Sequence, residues 1–324
     1  MRRSAALALT LTLAAQTAAG DIELGLPIDC DLSETCFIQQ YVDHDPGPGA
    51  QDYTCGPLAY DGHDGTDFAL PTREAMEAGV DVLAAAPGHV IAVRDEMPDI
   101  AANDPDAPDL DGRDCGNGVV LAHAGGWQTQ YCHMRRGSVA VSPGAPVERG
   151  ARLGEVGLSG RTEFPHLHLT VRFEDKVIDP FLPDPGASCS ETPETTLWRE
   201  TPAYRRGGLV DLGFATEVPD YAAIRGGLDS PGTLGGDAPA LVLWAHAFGG
   251  RAGDVVESRI DGPDGTVIAH DEALPRGQAR YFRAAGLRAP EPHGWPSGHY
   301  TGTVRLLRDG DVYSTRDIDV TLTD

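Results

Sequence analysis

The stretch FPHLHLTVRF sets His166 and His168 two residues apart in a run that otherwise alternates apolar and polar. In an extended strand, residues i and i+2 project from the same face. Leu167, Leu169, Val171 and Phe173 then form one apolar face, and His166, His168, Thr170 and Arg172 form the other. A polar face meeting water explains such a pattern equally well. A 324-residue chain with 11 histidines also contains about 0.4 accidental H-x-H pairs. The pair gains chemical meaning only with partners.

Those partners stand upstream. In YDGHDGTDF, His63 and Asp67 have H-x-x-x-D spacing, and Gly62 and Gly65 favour a turn leading into a strand over a helix. A catalytic zinc takes three nitrogen or oxygen ligands and keeps one position open for water. His63, Asp67 and His168 would supply that set: two neutral imidazoles and one carboxylate, leaving the net positive charge that suits a Lewis acid acting on a carbonyl. His166 shares the strand face of His168, but as a further ligand it would close the site. His133 ends the run QTQYCH. Hydrolysis of a peptide needs groups that take a proton from water, steady an oxyanion and protonate the leaving amine, and imidazoles do each of these near neutral pH.

The elements that must position these side chains read as β-structure. Short apolar runs with turn signals between them recur from Val80 to Phe181, and Gly125-Gly126 marks a hairpin. One short helix is expected around Pro71–Ala78, with Pro71 or Thr72 near its start. The Gly-, Pro- and Asp-rich segment from Cys30 to Tyr60 reads as ordered loop. Its Asp43-His44-Asp45 reads as a polar turn, with an inhibitory metal ligand as the alternative. The acidic insertion Asp95–Asp114 fails the EF-hand pattern, which would need Ala107 and Gly118 as its first and twelfth positions. It reads as a solvated loop. PDPGASCSETPETTLWRETP, beginning at Pro183, reads as linker. The residues beyond it have the turn-punctuated pattern of a small immunoglobulin-like sandwich, expected to fold alone and to be dispensable for chemistry. Its histidines, His246, His270, His293 and His299, lack ligand spacing and are read as structural or surface residues; His89 and His123 lie in expected strands and are read as structural.

The formal net charge of −24 excludes the basic footprint that nucleic acid requires, and Lys176 is the sole lysine, so no polybasic patch faces a membrane. MRRSAALALTLTLAAQTAAG has the basic start, apolar centre and small-residue end of a signal peptide and is too short for a stable span. Six cysteines in an exported chain favour disulfides. We pair Cys115 with Cys132 across one hairpin; three connectivities stay open for Cys30, Cys36, Cys55 and Cys189. The expected location is the periplasm or the extracellular cell envelope.

Taken together, His63-x-x-x-Asp67, the Y-x-H of Tyr131 to His133, His166-x-His168 and the Gly-Asn-x-Val run at Gly116–Val119 resemble the lysostaphin/LytM-type zinc metallopeptidases of bacterial cell walls, over about Tyr60 to Phe181. The resemblance implies an all-β chain whose antiparallel peptidase domain is of the duplicated hybrid motif type, followed by the β-sandwich. It implies Zn2+ on His63, Asp67 and His168, catalytic roles for His133 and His166, and peptidoglycan peptide stems as substrate. The expected organisation is signal peptide 1–20, Cys/Gly/Pro-rich segment 21–59, peptidase domain 60–185, linker 186–203 and sandwich 204–324. Two positions depart from the family pattern: Phe164 stands where glycine is frequent, and Thr170 stands where glutamate is common. Two alternatives accompany the endopeptidase reading: a catalytically inactive regulator or wall-binding protein, and a zinc peptidase acting on envelope proteins. The retention of all five groups favours the active enzyme. The need for an envelope activator or division partner stays open at this level.

Overall fold

Alternation along FPHLHLTVRF buries most of its apolar face: Leu167, Leu169 and Val171 are at most 1% exposed, and Phe173 at the strand end is partly buried. This strand, His166–Phe173, lies inside an eight-stranded antiparallel sheet of the computed structural model, which describes residues 22–184, 186–189 and 193–324. The expected signal peptide at 1–20 and residues 190–192 of the expected linker lie outside the described residues. Across the sheet the order is Phe37–Gln40, Thr66–Ala69, His166–Phe173, Trp127–Met134, Asn117–Ala122, Gly88–Arg94 and Pro146–Val147, with Lys176–Val177 pairing on His166–Phe173. Asp67 lies directly opposite His168, and Cys132 opposes His168 from the other side. The register therefore brings the three sequence-distant motifs to one line across the sheet.

The other face differs from a simple solvent-facing one. His166, His168 and Thr170 are at most 8% exposed, because flanking loops cover them. The insertion Asp95–Asp114 bonds to the loop before this strand. Ala102 donates to the Thr162 carbonyl at 2.7 Å, Leu158 to Asp99 at 2.8 Å and Arg161 to Asp114 at 2.7 Å. The insertion thus holds the loop that leads into His166.

The expected helix forms over Arg73–Ala78, capped by Thr72, whose hydroxyl accepts from the Ala75 amide at 3.1 Å. A second helix, Tyr221–Gly227, was not anticipated; its seven residues end in Gly226-Gly227, and it is held by the burial of Ile224. The segment read as pure loop also contains the strand Phe37–Gln40, which closes one edge of the sheet against Thr66–Ala69.

Beyond residue 204 a three-stranded sheet (Gly208–Ala215, Ala240–Gly250, Gln278–Arg288) and a five-stranded one (Thr233–Gly235, Asp311–Thr323, Gly298–Arg308, Val255–Gly262, Gly265–Ala273) share one core that includes Phe214, Leu243, Val304 and Val320. Only Thr233–Gly235 pairs in parallel among these strands. The expected turn at Asp309-Gly310 has both residues at positive φ, 55° and 89°, the twist that suits a tight hairpin.

The six cysteines form Cys30–Cys36, Cys55–Cys189 and Cys115–Cys132. Cys55–Cys189 staples the start of the linker to the amino-terminal segment. The two halves are also packed together. Phe37 and Phe248 stack with centroids 4.4 Å apart in a small apolar cluster with Ala69 and Val210. Tyr204 donates to Asp52 at 2.7 Å, and Arg280 donates to the Leu70 carbonyl at 2.8 Å. The carboxy-terminal sheets are therefore docked on the amino-terminal half, and the Cys55–Cys189 staple adds a covalent tie beside that contact. Linker composition reveals a chain crossing but carries no information about the faces that meet beside it.

Candidate metal centre

His63 sits in the turn before the strand Thr66–Ala69, and its Nδ1–H donates to the Tyr41 carbonyl at 2.7 Å. That bond leaves the Nε2 lone pair facing inward. His168 is held in the opposite sense: its Nε2–H faces Thr170 Oγ1 at 3.0 Å and Asp64 Oδ1 at 3.2 Å, so Nδ1 is the free acceptor. Between them lies Asp67, 2% exposed. Its Oδ1 is 3.2 Å from His63 Nε2 and 2.9 Å from His168 Nδ1, and those two nitrogens are 3.2 Å apart. Burial alone would raise the Asp67 pKa, but the His63 and His166 imidazoles, with bonds from His166 and His168, hold it well below the usual carboxylate range. Against the same penalty of burial, Asp64 and Asp67 raise His168 to about 9.

The chemistry and spacing of these three atoms suit zinc. Tyr41 orients one ring and Thr170 and Asp64 the other, so that a cation displacing the proton His168 holds against Asp67 would meet two imidazole lone pairs and one carboxylate oxygen. Donors about 2.0–2.1 Å from a tetrahedral ion stand roughly 3.3 Å apart, close to the spacing observed. Gly65 is required for this approach, since a Cβ there would lie 2.6 Å from His168 Nε2. A second set of convergent atoms comes from His133, His166 and His168. It lacks a carboxylate, so the set containing the buried Asp67 is the better match to a divalent ion.

His133 and His166 flank the donors with ring centroids 4.6 Å apart. Each is oriented by a backbone carbonyl: His133 Nδ1–H donates to Ser159 at 2.8 Å and His166 Nδ1–H to Phe164 at 3.0 Å. Both Nε2 atoms are thereby left as acceptors. His133 has the left-handed φ of 62°, unusual for a residue with a Cβ, beside the Cys115–Cys132 bridge. Burial, reinforced by His166 and His168, pushes its pKa well below the ordinary histidine value, so it is neutral and able to accept a proton. Tyr131 of the Y-x-H run faces away; its hydroxyl is buried and accepts from the Ala85 amide at 2.8 Å. His44 also stays clear of the donors and pairs with Asp179 at 2.7 Å, while Asp43 accepts from the Gly62 amide at 3.0 Å and braces the turn before His63.

Sequence reasoning missed the supporting partners. Asp64 adjoins His63 and was in plain view, but its reach to His168 depends on the strand pairing. The carbonyls of Tyr41, Ser159 and Phe164 leave no sequence signal at all, since every residue carries one. Partners of this kind fix ligand tautomer and orientation. Replacing both Asp64 and Thr170 (Asp64→Ala with Thr170→Val) is expected to weaken metal binding about 10–100-fold. Competition with a chromogenic chelator measures this, and unchanged affinity would remove the supporting role.

A buried His–Asp–His donor set with two further imidazoles, on the floor of an antiparallel sheet, is suited to a single hydrolytic metal. Residues 61–180 match the model of Peptidase family M23, and the chain carries a peptidase M23 domain. Over 106 residues it is 35% identical to the peptidoglycan DD-endopeptidase ShyA of Vibrio cholerae, covering 33% of this chain and 19% of that protein. Over 122 residues it is 31% identical to ShyB, the DD-endopeptidase of the same organism, covering 38% and 23%. A solved zinc-containing peptidase from Vibrio cholerae is 27% identical, with a TM-score of 0.28, over 45% of this chain and 39% of that one. The matched region thus spans about a fifth of the curated relatives' length.

Proposed function

We propose that this protein is an exported zinc endopeptidase that hydrolyses peptide cross-links of bacterial peptidoglycan. The convergence of His63 Nε2, Asp67 Oδ1 and His168 Nδ1 beside two non-ligating imidazoles is the observation that carries the reading. The M23 match supports peptide hydrolysis, and the names of the Vibrio relatives support peptidoglycan as the substrate class. Three disulfides support export to an oxidising compartment. No helix among the described residues is long and apolar enough to cross a membrane.

In this reading His63, Asp67 and His168 hold the zinc. Bound there, zinc supplies Lewis acidity towards the scissile carbonyl and lowers the pKa of water. The neighbouring imidazoles manage protons and charge. The Nε2 atoms of His133 and His166 are the free acceptors beside the donor set: one takes the proton released as water adds, and the N–H so formed can then donate to the oxyanion and to the departing nitrogen. A proton returned to the departing nitrogen completes cleavage of the C–N bond, leaving a carboxylate and an amine. Tyr60, 52% exposed, packs its ring 4.4 Å from that of His63 and offers an apolar face at the rim.

Incubating the protein with purified peptidoglycan, followed by mass spectrometry of the released fragments, tests the proposal. The expected products carry new amine and carboxyl ends at a cross-link, disappear with chelator and return with zinc. A folded, zinc-loaded protein that releases nothing, or release indifferent to chelator, would overturn it.

A further inference from the structure

The loop from Leu158 to Pro165 supplies the carbonyls that orient both His133 and His166. Its outer side forms one wall of a second cleft, of about 280 Å³, whose other wall comes from the carboxy-terminal domain. Three arginines line this cleft: Arg73 from the catalytic half, and Arg225 and Arg280 from the carboxy-terminal half. None of them has a carboxylate within 4.0 Å among the described residues. Glu163 and Asp104 also line the cleft, but both are exposed and stand apart from the guanidinium groups.

Arg280 is the most constrained of the three. Its guanidinium carbon lies 5.3 Å from the centre of the Phe37 ring and 4.8 Å from that of Phe164, and Nη2 donates to the Leu70 carbonyl. Phe164 in turn stacks on His166 with centroids 4.5 Å apart. A single ring therefore separates this cation from a catalytic imidazole. The Nε atoms of Arg225 and Arg280 are both buried without a hydrogen-bond partner. Burial, with the Arg225 charge nearby, lowers the Arg280 pKa to about 10, so it stays charged at neutral pH. A half-buried guanidinium whose Nε is buried without a partner, and which has no counterion within 4.0 Å, is costly to maintain. The fork of an arginine is matched by a carboxylate, which can accept two parallel N–H bonds.

We propose that this interdomain cleft is a carboxylate-binding subsite for the peptide substrate, built by Arg225 and Arg280 of the carboxy-terminal domain with Arg73 on the peptidase side. The inference rests on the endopeptidase reading and assigns specificity to a domain outside the M23 match. A strand of substrate lying across His166 reaches the arginines within about three residues of the scissile bond, at roughly 3.5 Å per extended residue. The position that departs from the family pattern, Phe164, has a role in this arrangement. Its ring is the partition between the arginine and the imidazole, and glycine would remove the one surface against which both pack.

The test uses the full, zinc-loaded chain and soluble cross-linked muropeptides in two forms, with free carboxylates and after carbodiimide amidation with ammonia. For the native protein the free-acid form is expected to have a KM about ten- to hundredfold below that of the amidated form. Arg225→Gln and Arg280→Lys should raise KM for the free acid towards the amidated value, with a much smaller change in kcat. Arg225→Gln guards against misfolding of the more buried Arg280 variant, and thermal unfolding of each is recorded. Calorimetric binding of both forms to a catalytically dead His166→Ala protein separates the subsite from the reaction. If native protein cleaves neither form but binds the free acid preferentially, the endopeptidase reading fails and the subsite stands. Arginines that only tie the domains together would lower the melting temperature and leave the preference for free acid intact. That result, or equal binding of the two forms, overturns the proposal.

Discussion

His168→Ala is expected to fold, to lose its zinc and to lose its activity. Native protein should return about one equivalent of zinc per chain by elemental analysis, and the variant a small fraction of it. The loss should exceed the roughly 10–100-fold that removing a supporting partner costs, because a donor itself has gone. The geometry makes this variant the most informative of the three ligands. His168 lies opposite both Asp67 and Cys132 in the sheet, so its side chain is placed by two neighbouring strands. Removing it leaves His63 and Asp67 3.2 Å apart with two donors, too few for a tight zinc site. Leu167 and Leu169 remain in the core to hold the strand, and near-ultraviolet circular dichroism should report a native-like fold. A full equivalent of zinc in the variant would refute the ligand assignment.

Variants of His133 and His166 should behave in the opposite way, keeping zinc while kcat falls by about two to four orders of magnitude, the usual worth of acid–base groups. His166→Ala is a direct substitution. At His133 the left-handed φ of 62° would penalise alanine for reasons unrelated to catalysis, so His133→Asn is the cleaner choice, since asparagine tolerates that conformation. Measuring zinc content and kcat on one preparation separates the two roles. Loss of metal from His166→Ala would favour the alternative donor set of His133, His166 and His168 and move Asp67 out of the first rank. His166 Nε2 lies 3.4 Å from Asp67 Oδ1, so the two sets are close neighbours and the experiment discriminates between them.

Two features make the candidate donor set readable in the sequence. The period-2 alternation of FPHLHLTVRF states the direction of each side chain, because a strand turns successive residues to opposite faces. Metal donors are also drawn from few residue types, so His63, Asp67 and His168 stand out in a chain with only 11 histidines. The covering of that face was less legible. Alternation predicts which residues share a side, but not that His166, His168 and Thr170 are buried, nor that the Asp95–Asp114 insertion, whose composition reads as solvated loop, ties down the loop leading into His166. The strand Phe37–Gln40 was hidden for a related reason: four residues amid Gly, Pro and Asp carry too little pattern, and pairing with Thr66–Ala69 creates the strand.

By itself the sequence determined the β character of the chain, the residue types of the site and the pairing of Cys115 with Cys132, because local periodicity, donor chemistry and hairpin proximity are written in short windows. The tertiary structure alone decided which nitrogen of each histidine faces inward. That choice belongs to the carbonyls of Tyr41, Ser159 and Phe164 and to Thr170 and Asp64, groups brought within hydrogen-bond reach only by folding. It also decided that Cys55 bonds to Cys189, and that Arg280 lies against Phe164 more than a hundred residues away. Contacts between distant segments depend on how whole sheets dock, and docking is set by the summed shape and polarity of two surfaces. No single stretch of sequence contains that sum.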